Sequence, residues 1–231
     1  MRRRLVIFIG ASIIAIAIAA ALDRAVADWA FNSGAENFLD THKVVRTVLK
    51  APGEFWFTIV VAIVVGVVHK LKWRAGAFVL LGTAVSGING LIKWIVGRTR
   101  PFHLRDNQGN PRLAPFELAP FRGGMGGLFV SKNLCFPSGH AALAFATAEA
   151  LAMLYPRARW AFYVVATLVA AERVMENAHY LSDVVGAAVL GIAGVHLIRW
   201  IVTKGFRVQG SGFSETEPKL NPEPRTLNPN G

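Results

Sequence analysis

The run Leu5–Leu22, LVIFIGASIIAIAIAAAL, contains no charged side chain. Five further apolar blocks follow it: Phe55–Val68, Ala75–Val96, Ala141–Tyr155, Trp160–Ala171 and Asp183–Val202. A bilayer core takes roughly 20 helical residues per crossing, and in lipid only a helix or a closed barrel satisfies its own backbone. With 53% hydrophobic residues in 231, six such blocks leave too little polar sequence to cover a soluble core of that size. The chain therefore reads as all-α: a polytopic membrane protein with a bundle of six transmembrane helices. The second and fifth blocks reach full span length only with flanking residues included.

The first block also fits a cleaved signal peptide, with MRRR before it and AAALDRA after it. Its apolar run is longer than a usual signal core, which favours a retained span. Residues 1–208 form the expected membrane domain. Residues 209–231, rich in Pro, Asn, Glu and Ser, are expected to be a disordered cytoplasmic tail.

Orientation follows from the short loops. Residues 69–74 carry three Lys/Arg and no acid, and residues 156–160 carry two and no acid. With Arg2–Arg4 and the basic C-terminal segment, they mark the inner side. Both termini are then cytoplasmic, and residues 97–140 and 172–183 face outward. Trp73, Trp160 and Trp200 fall near the inner interface, and Trp56 and Trp94 near the outer one. Residues 23–54, read as an outer loop, hold five acids against four bases.

The net charge of +11 does not point to nucleic acid, because no basic helix or aromatic-interleaved surface accompanies it. Inner loops account for part of it as topology signals and contacts to anionic lipid heads. The rest lies outside, in Arg98, Arg100, Arg105, Arg112, Arg122 and Lys132, which suits a negatively charged substrate or a solvated loop. The single Cys135 cannot form an internal disulfide and reads as a small packing residue. His179 and Asp183 alone are weak as a metal pair, so neither metal nor cofactor is expected.

Ionisable residues at the ends of spans are expensive and read as functional. Lys93 and Arg100 close the third span, Ser138-Gly139-His140 opens the fourth, Arg173 ends the fifth, and His179-Tyr180-Leu181-Ser182-Asp183 opens the sixth. Three cations and two histidines at one membrane surface make a site for an anion with several oxygens. Ser138 can cap its helix, and Gly139 permits close backbone approach where free N–H groups favour phosphate. His179 and Asp183 are four apart, on one helical face. The carboxylate can fix the imidazole tautomer, and His140 can protonate a leaving oxygen.

Lys93-x6-Arg100-Pro101, Pro137-Ser138-Gly139-His140 and Arg173-x5-His179-x3-Asp183 resemble, in order and spacing, the three signature motifs of the type 2 phosphatidic acid phosphatase family, which is related to vanadium haloperoxidases. The likeness covers about residues 55–203. One departure is Glu172, where the family usually has serine before the arginine. The resemblance implies metal-free hydrolysis at the outer surface. In it His179 is the nucleophile that becomes phosphohistidine, Asp183 its orienting carboxylate and His140 the acid and then base. Lys93, Arg100, Arg173, Ser138 and the Gly139 N–H hold the phosphate.

The implied partners are the membrane and an anionic phospholipid or isoprenoid lipid phosphate; the oligomeric state stays open. Phosphatidylglycerol phosphate, phosphatidic acid, undecaprenyl phosphate or diphosphate and lipid A phosphates all fit. A phosphotransferase would share the first half-reaction. A transporter would place its ionisable groups near midplane rather than at one surface, and six apolar blocks argue against a haloperoxidase. The short chain and MRRR start suggest a bacterial inner membrane. Asn177 and Tyr180 are expected to support the nucleophile, Glu149 to face the bundle interior, and His42, His69 and His196 to be structural or interfacial. Residues 122–129, RGGMGGLF, read as a flexible loop or a lid.

Overall fold

The computed structural model describes residues 2–101, 119–121 and 134–210. Expectations for Arg105, Arg112, Arg122, Lys132, the 122–129 stretch and residues 211–231 lie outside these. Nine α-helices occur among the described residues: α1 (Arg2–Asn32), α2 (Ala35–Thr41), α3 (Lys43–Lys50), α4 (Phe55–Val68), α5 (Trp73–Ala84), α6 (Asn89–Val96), α7 (Gly139–Leu154), α8 (Arg159–Met175) and α9 (Leu181–Gly210). Extended pairing among them is limited to one isolated bridge, Thr99 with Leu134.

Each of the six apolar blocks is helical. Three helical stretches, Leu5–Asn32, Trp73–Val96 and Leu181–Thr203, are long and apolar enough to cross a membrane. A fourth crossing arises if Lys43–Gly53 and Phe55–Val68 act together across their 62° bend. α7, at 16 residues, and α8, at 17, fall short of a full crossing by themselves. The outward-facing side chains suit lipid: Leu5, Ile13, Val67, Trp73 and Trp160 are each more than half exposed.

α7 is the central element, packed between α8, α9 and α5. Its alanines at 141, 142, 144, 146, 148 and 150 are buried, and small side chains let helices approach closely in lipid. The contact with α9 is tightest at Gly191, where a Cβ would lie 2.5 Å from the Ala142 carbonyl oxygen. A larger residue there would force the two site-bearing helices apart. α5 packs on α4 and α9 around Ala62, Val65, Ala75, Val79 and Val195.

Three boundaries differ from the sequence reading. α1 does not stop at Leu22 but continues to Asn32, because Asp23 is neutralised within the fold and Arg24 faces Asp28 one turn on. Residues 35–50, read as loop, form α2 and α3. The third block is interrupted by a 3-10 turn at Val85–Ile88, after which α6 begins at Asn89.

Candidate active site

α6 ends at Gly97, whose left-handed backbone (φ 64°) stops the helix in the way glycine favours. The chain then runs beside residues 134–138: the Cys135 N–H donates to the Arg98 carbonyl at 2.9 Å. Cys135 is buried with its Sγ 3.3 Å from the Thr99 carbonyl, the packing role expected of it. The Ser138 N–H donates to the Asp183 carbonyl at 3.1 Å. Backbone hydrogen bonds thus draw the three motifs to one end of the bundle before any side chain acts.

Asp183 is the third residue of α9 and accepts the Tyr180 N–H at 2.8 Å through Oδ2, the carboxylate half of a capping box. The same Oδ2 lies 3.5 Å from His179 Nδ1. That is close enough for strong charge interaction and too long for a formed hydrogen bond; Nδ1 is buried without a hydrogen-bond partner. Burial pushes His179 down to about 4, with Lys93 and Arg100 acting in the same direction and Asp183 opposing them. The imidazole is therefore neutral near pH 7.

The second Asp183 oxygen is held by Arg98, which the sequence reading left between substrate contact and solvation. Arg98 is 1% exposed, so the solvated role is wrong. Its Nη1 donates to Asp183 Oδ1 at 2.8 Å and to Ser182 Oγ at 2.7 Å, and its Nη2 donates to Asp23 Oδ2 at 2.8 Å. Its guanidinium lies 3.9 Å above the Tyr180 ring. Asp23 in turn accepts the Ser182 N–H at 2.8 Å and the Ser182 hydroxyl at 2.6 Å. Desolvation opposes the Arg98 charge, but Asp183 and Asp23 more than offset it and raise its pKa. Neither Asp23 nor the role of Arg98 has a local sequence signal: Arg98 occupies one of the six unspecified positions of Lys93-x6-Arg100, and Asp23 read as the start of a loop.

His140, the second residue of α7, has a carboxylate partner that sequence distance concealed. Its Nε2 lies 3.1 Å from Glu54 Oε1, and Glu54 also meets Lys50 Nζ at 3.3 Å. The backbone before Glu54 packs closely on the first turn of α7: a Cβ on Gly53 would lie 2.9 Å from the His140 Cβ.

Ser138 is the N-cap of α7 but makes no side-chain cap bond, so the expected hydroxyl cap is absent. Its Oγ is buried with no partner, a condition that marks a functional site when nothing structural explains it. Asn89 performs part of the cap. With its amide nitrogen donating to the Pro137 carbonyl at 3.0 Å, its oxygen accepts the Gly139 N–H at 3.0 Å. That N–H, expected on phosphate, is occupied.

Lys93 is buried at 7% exposure. Arg100 is held below the usual arginine range by burial, with the nearby Arg173 cation adding to the effect. Arg173 is buried and paired with two carboxylates, bidentate to Glu172 and also to Glu176. Glu172, the departure from the family pattern, is 1% exposed and fixes the guanidinium from the adjacent position. Beside it lies a cavity of about 490 Å³ lined by Glu36, Asp40, Arg46, Arg100, Arg173 and Glu176. Asn177 supports this wall by donating to Glu36 Oε2 at 3.0 Å.

Three other histidines among the described residues lie elsewhere. His42 stacks on Phe38, His69 meets Tyr155 edge-on, and His196 Nε2 lies 3.1 Å from Glu149 Oε1. Glu149 is buried, as its interior placement anticipated. No group of three or more His, Cys, Asp or Glu able to hold a metal occurs among the described residues.

Residues 53–207 match the family model described as PAP2 superfamily. Two curated relatives, both named lipid A 1-phosphatase, match over 117 residues: one from Rhizobium johnstonii at 38% identity and one from Rhizobium etli at 37%. The match covers 50% of this chain and 43% and 45% of those proteins, so the chain spans less than half the length of the relatives it matches. A solved transmembrane PAP2-type phosphatidylglycerolphosphate phosphatase from Bacillus subtilis aligns with a TM-score of 0.49 at 21% identity, covering 84% of this chain and 95% of that one. The family match extends over about two thirds of the 231 residues and contains all three motifs at the bundle end just described: the chain belongs to the PAP2 superfamily.

Proposed function

We propose that the chain is an integral membrane lipid phosphatase that hydrolyses a phosphate monoester through a phosphohistidine. The observation that carries this is the pairing of a buried, neutral His179 with Asp183, near enough to Lys93 and Arg100 for their charges to act on the imidazole and tied to Arg173 by the His179 N–H, which donates to the Arg173 carbonyl at 3.2 Å. Such a cluster suits an anion with several oxygens, and phosphoryl transfer needs little beyond positioning and fixed charge.

In the proposed cycle the His179 Nδ1–H faces Asp183, leaving Nε2 to attack phosphorus. The N–P bond forms as the ester P–O bond breaks. The leaving alkoxide takes a proton from His140; with its Nε2 held at Glu54, Nδ1 is the nitrogen left to give it. His140 then accepts a proton from water, whose oxygen attacks phosphorus while the N–P bond breaks, releasing inorganic phosphate and free His179. Lys93, Arg100 and Arg173 hold the phosphate oxygens, and the unpartnered Ser138 Oγ donates to one of them. Gly139 contributes close approach rather than its N–H. Arg173 must trade part of its Glu172 and Glu176 contacts for phosphate.

The six helical blocks then form six spans, with the site on the outer side of a bacterial inner membrane, both termini inside and residues 209–231 as a cytoplasmic tail. Phosphate release from purified protein across phosphatidylglycerol phosphate, phosphatidic acid, undecaprenyl diphosphate and a lipid A phosphate tests the reading. A lipid A phosphate heads the panel because two matched relatives carry the name lipid A 1-phosphatase. Release without an acceptor lipid separates hydrolysis from transfer. The cycle runs on side chains alone, so release should persist in EDTA; loss restored by a divalent ion would overturn the metal-free mechanism.

A further inference from the structure

An apolar cleft of about 460 Å³ lies on the membrane face of the bundle between α1, α8 and α9 and shares no lining residue with the polar cavity beside Arg173. Ala170 and Ala171 of α8 and Ala188 of α9 leave it open, Phe145 of α7 closes its back, and Trp29 of α1 stands at its rim. Its one hydroxyl, on Thr167, already donates to the Tyr163 carbonyl of its own helix at 2.8 Å. Apart from Thr167 and the Trp29 indole N–H at the rim, the lining is aliphatic, aromatic or thioether, so a hydrocarbon chain suits its interior.

Two observations choose between bulk lipid and a specific occupant. The first is continuity with the candidate site. Val174 and Leu181, at one end of the cleft, flank the segment that carries Arg173 and His179: Val174 follows Arg173 directly, and Leu181 begins the helix that His179 precedes. The second is depth. From Leu181 to Ile192, both lining the cleft, α9 rises about 16 Å at 1.5 Å per residue, about half of a ~30 Å hydrocarbon core.

We propose that this cleft seats one acyl chain of the lipid whose phosphate is held at Arg173 and His179. The inference rests on the phosphatase reading and deepens it: the substrate is gripped by its chain within one leaflet as well as by its headgroup. Lipid tails are as apolar as the cleft, so the seat gives no hydrophobic gain over the bilayer. Its contribution is orientation, limiting where the ester phosphorus can lie relative to Nε2.

The test fills the cleft. Ala171→Trp and Ala188→Trp point a ring into open space rather than into packed core. The readout is the ratio of kcat/KM for the fastest long-chain lipid phosphate in the panel above to that for p-nitrophenyl phosphate, which has no chain. Both variants should lower this ratio by about tenfold or more, the scale of misplacing a reacting group. Val164→Trp, on a lipid-facing position of the same helix (58% exposed) that does not line the cleft, should leave it within about twofold. An unaltered ratio in the cleft variants, or an equal fall in Val164→Trp, would show that the cleft holds only bulk lipid, and the inference would fail while the phosphatase reading stands. If the unmodified protein releases phosphate from neither class of substrate, the phosphatase reading fails and takes this one with it.

Discussion

The two histidines of the site differ in what surrounds them, and that difference assigns their chemistry. His179 is fully enclosed with Asp183 at Nδ1, whereas His140 keeps 29% of its side chain exposed beside Glu54. His179→Ala should abolish turnover and any trapped phosphoenzyme. His140→Ala should slow alkyl esters by roughly 10²-fold or more, the usual scale of general acid help, and much less for nitrophenyl phosphate, whose leaving oxygen needs no proton. Rapid-quench labelling with radioactive esters of both kinds decides it: an acid-labile phosphoenzyme in His179→Ala and none in His140→Ala would reverse the roles. The electrostatics of His179 add a second prediction. Its pKa is pushed from an ordinary 6.5 to about 4 by burial, so the unfolded chain binds the proton more readily than the folded one. The stability this group contributes is full above about pH 6.5 and is lost as pH falls from there toward 4. The imidazole ¹⁵N resonances of His179, identified by their loss in His179→Ala, should stay neutral down to about pH 5. Lys93→Met should move the titration upward, because Lys93 is one of the cations that oppose protonation. A titration near 6.5 in the unmodified protein would contradict the buried-nucleophile picture.

At the scale of elements, Arg98 joins α1, the strand-like segment after α6, and α9 through Asp23, Ser182 and Asp183. Arg98→Ala strands two buried carboxylates and should lower stability by about 3–5 kcal/mol. Arg98→Lys keeps the charge but cannot match a planar fork to three acceptors. It should fold, and lose kcat by about tenfold or more with little change in KM, since Asp183 rather than substrate contact is affected. A KM effect with kcat retained would instead make Arg98 a substrate ligand. A second tie lies deeper, where Glu149 of α7 accepts the Tyr163 hydroxyl of α8 and meets His196 of α9. Glu149→Ala should lower the melting temperature in detergent through a loss of about 1–3 kcal/mol, with Glu149→Gln losing less because it still accepts from Tyr163. Equal losses would remove the hydrogen bond from the account. Both ties explain what could be read beforehand. The motif residues within α6, α7 and α9 were legible because helix-end ionisables in apolar sequence have few structural explanations. The partners Asp23 and Glu54 were not, because they lie 75 and 86 positions from Arg98 and His140 and were embedded in what looked like an acidic loop. The occupied Gly139 N–H was illegible for a similar reason. Asn89 lies within the apolar block Ala75–Val96, 50 positions before Gly139, and nothing in that run ties it to the start of α7.

For the whole molecule, the proposed side of the membrane can be tested without touching the site. α3 is bound to the site end of the bundle, since Arg46 pairs with Glu176, which also holds Arg173. A reagent that reaches α3 therefore reports the side on which the site opens. Val44, on α3, is 77% exposed, and Lys72, in the turn between α4 and α5, is also exposed. The native Cys135 is fully buried, with its thiol held well above the usual range by burial, so it gives little background label. In spheroplasts, Val44→Cys should react with an impermeant maleimide and Lys72→Cys should react only after the membrane is opened. The pattern follows from the proposed orientation, in which the basic turn at residues 69–74 lies inside. It also follows from helix geometry: α4, running from the site end to this turn, puts the two positions on opposite faces of the membrane only if it crosses. The reverse pattern would turn the site toward the cytoplasm and remove every substrate confined to the outer leaflet. Labelling of both cysteines in closed spheroplasts would mean that α4, 14 residues long, does not cross, and that the bent α3–α4 pair re-enters on the side it left.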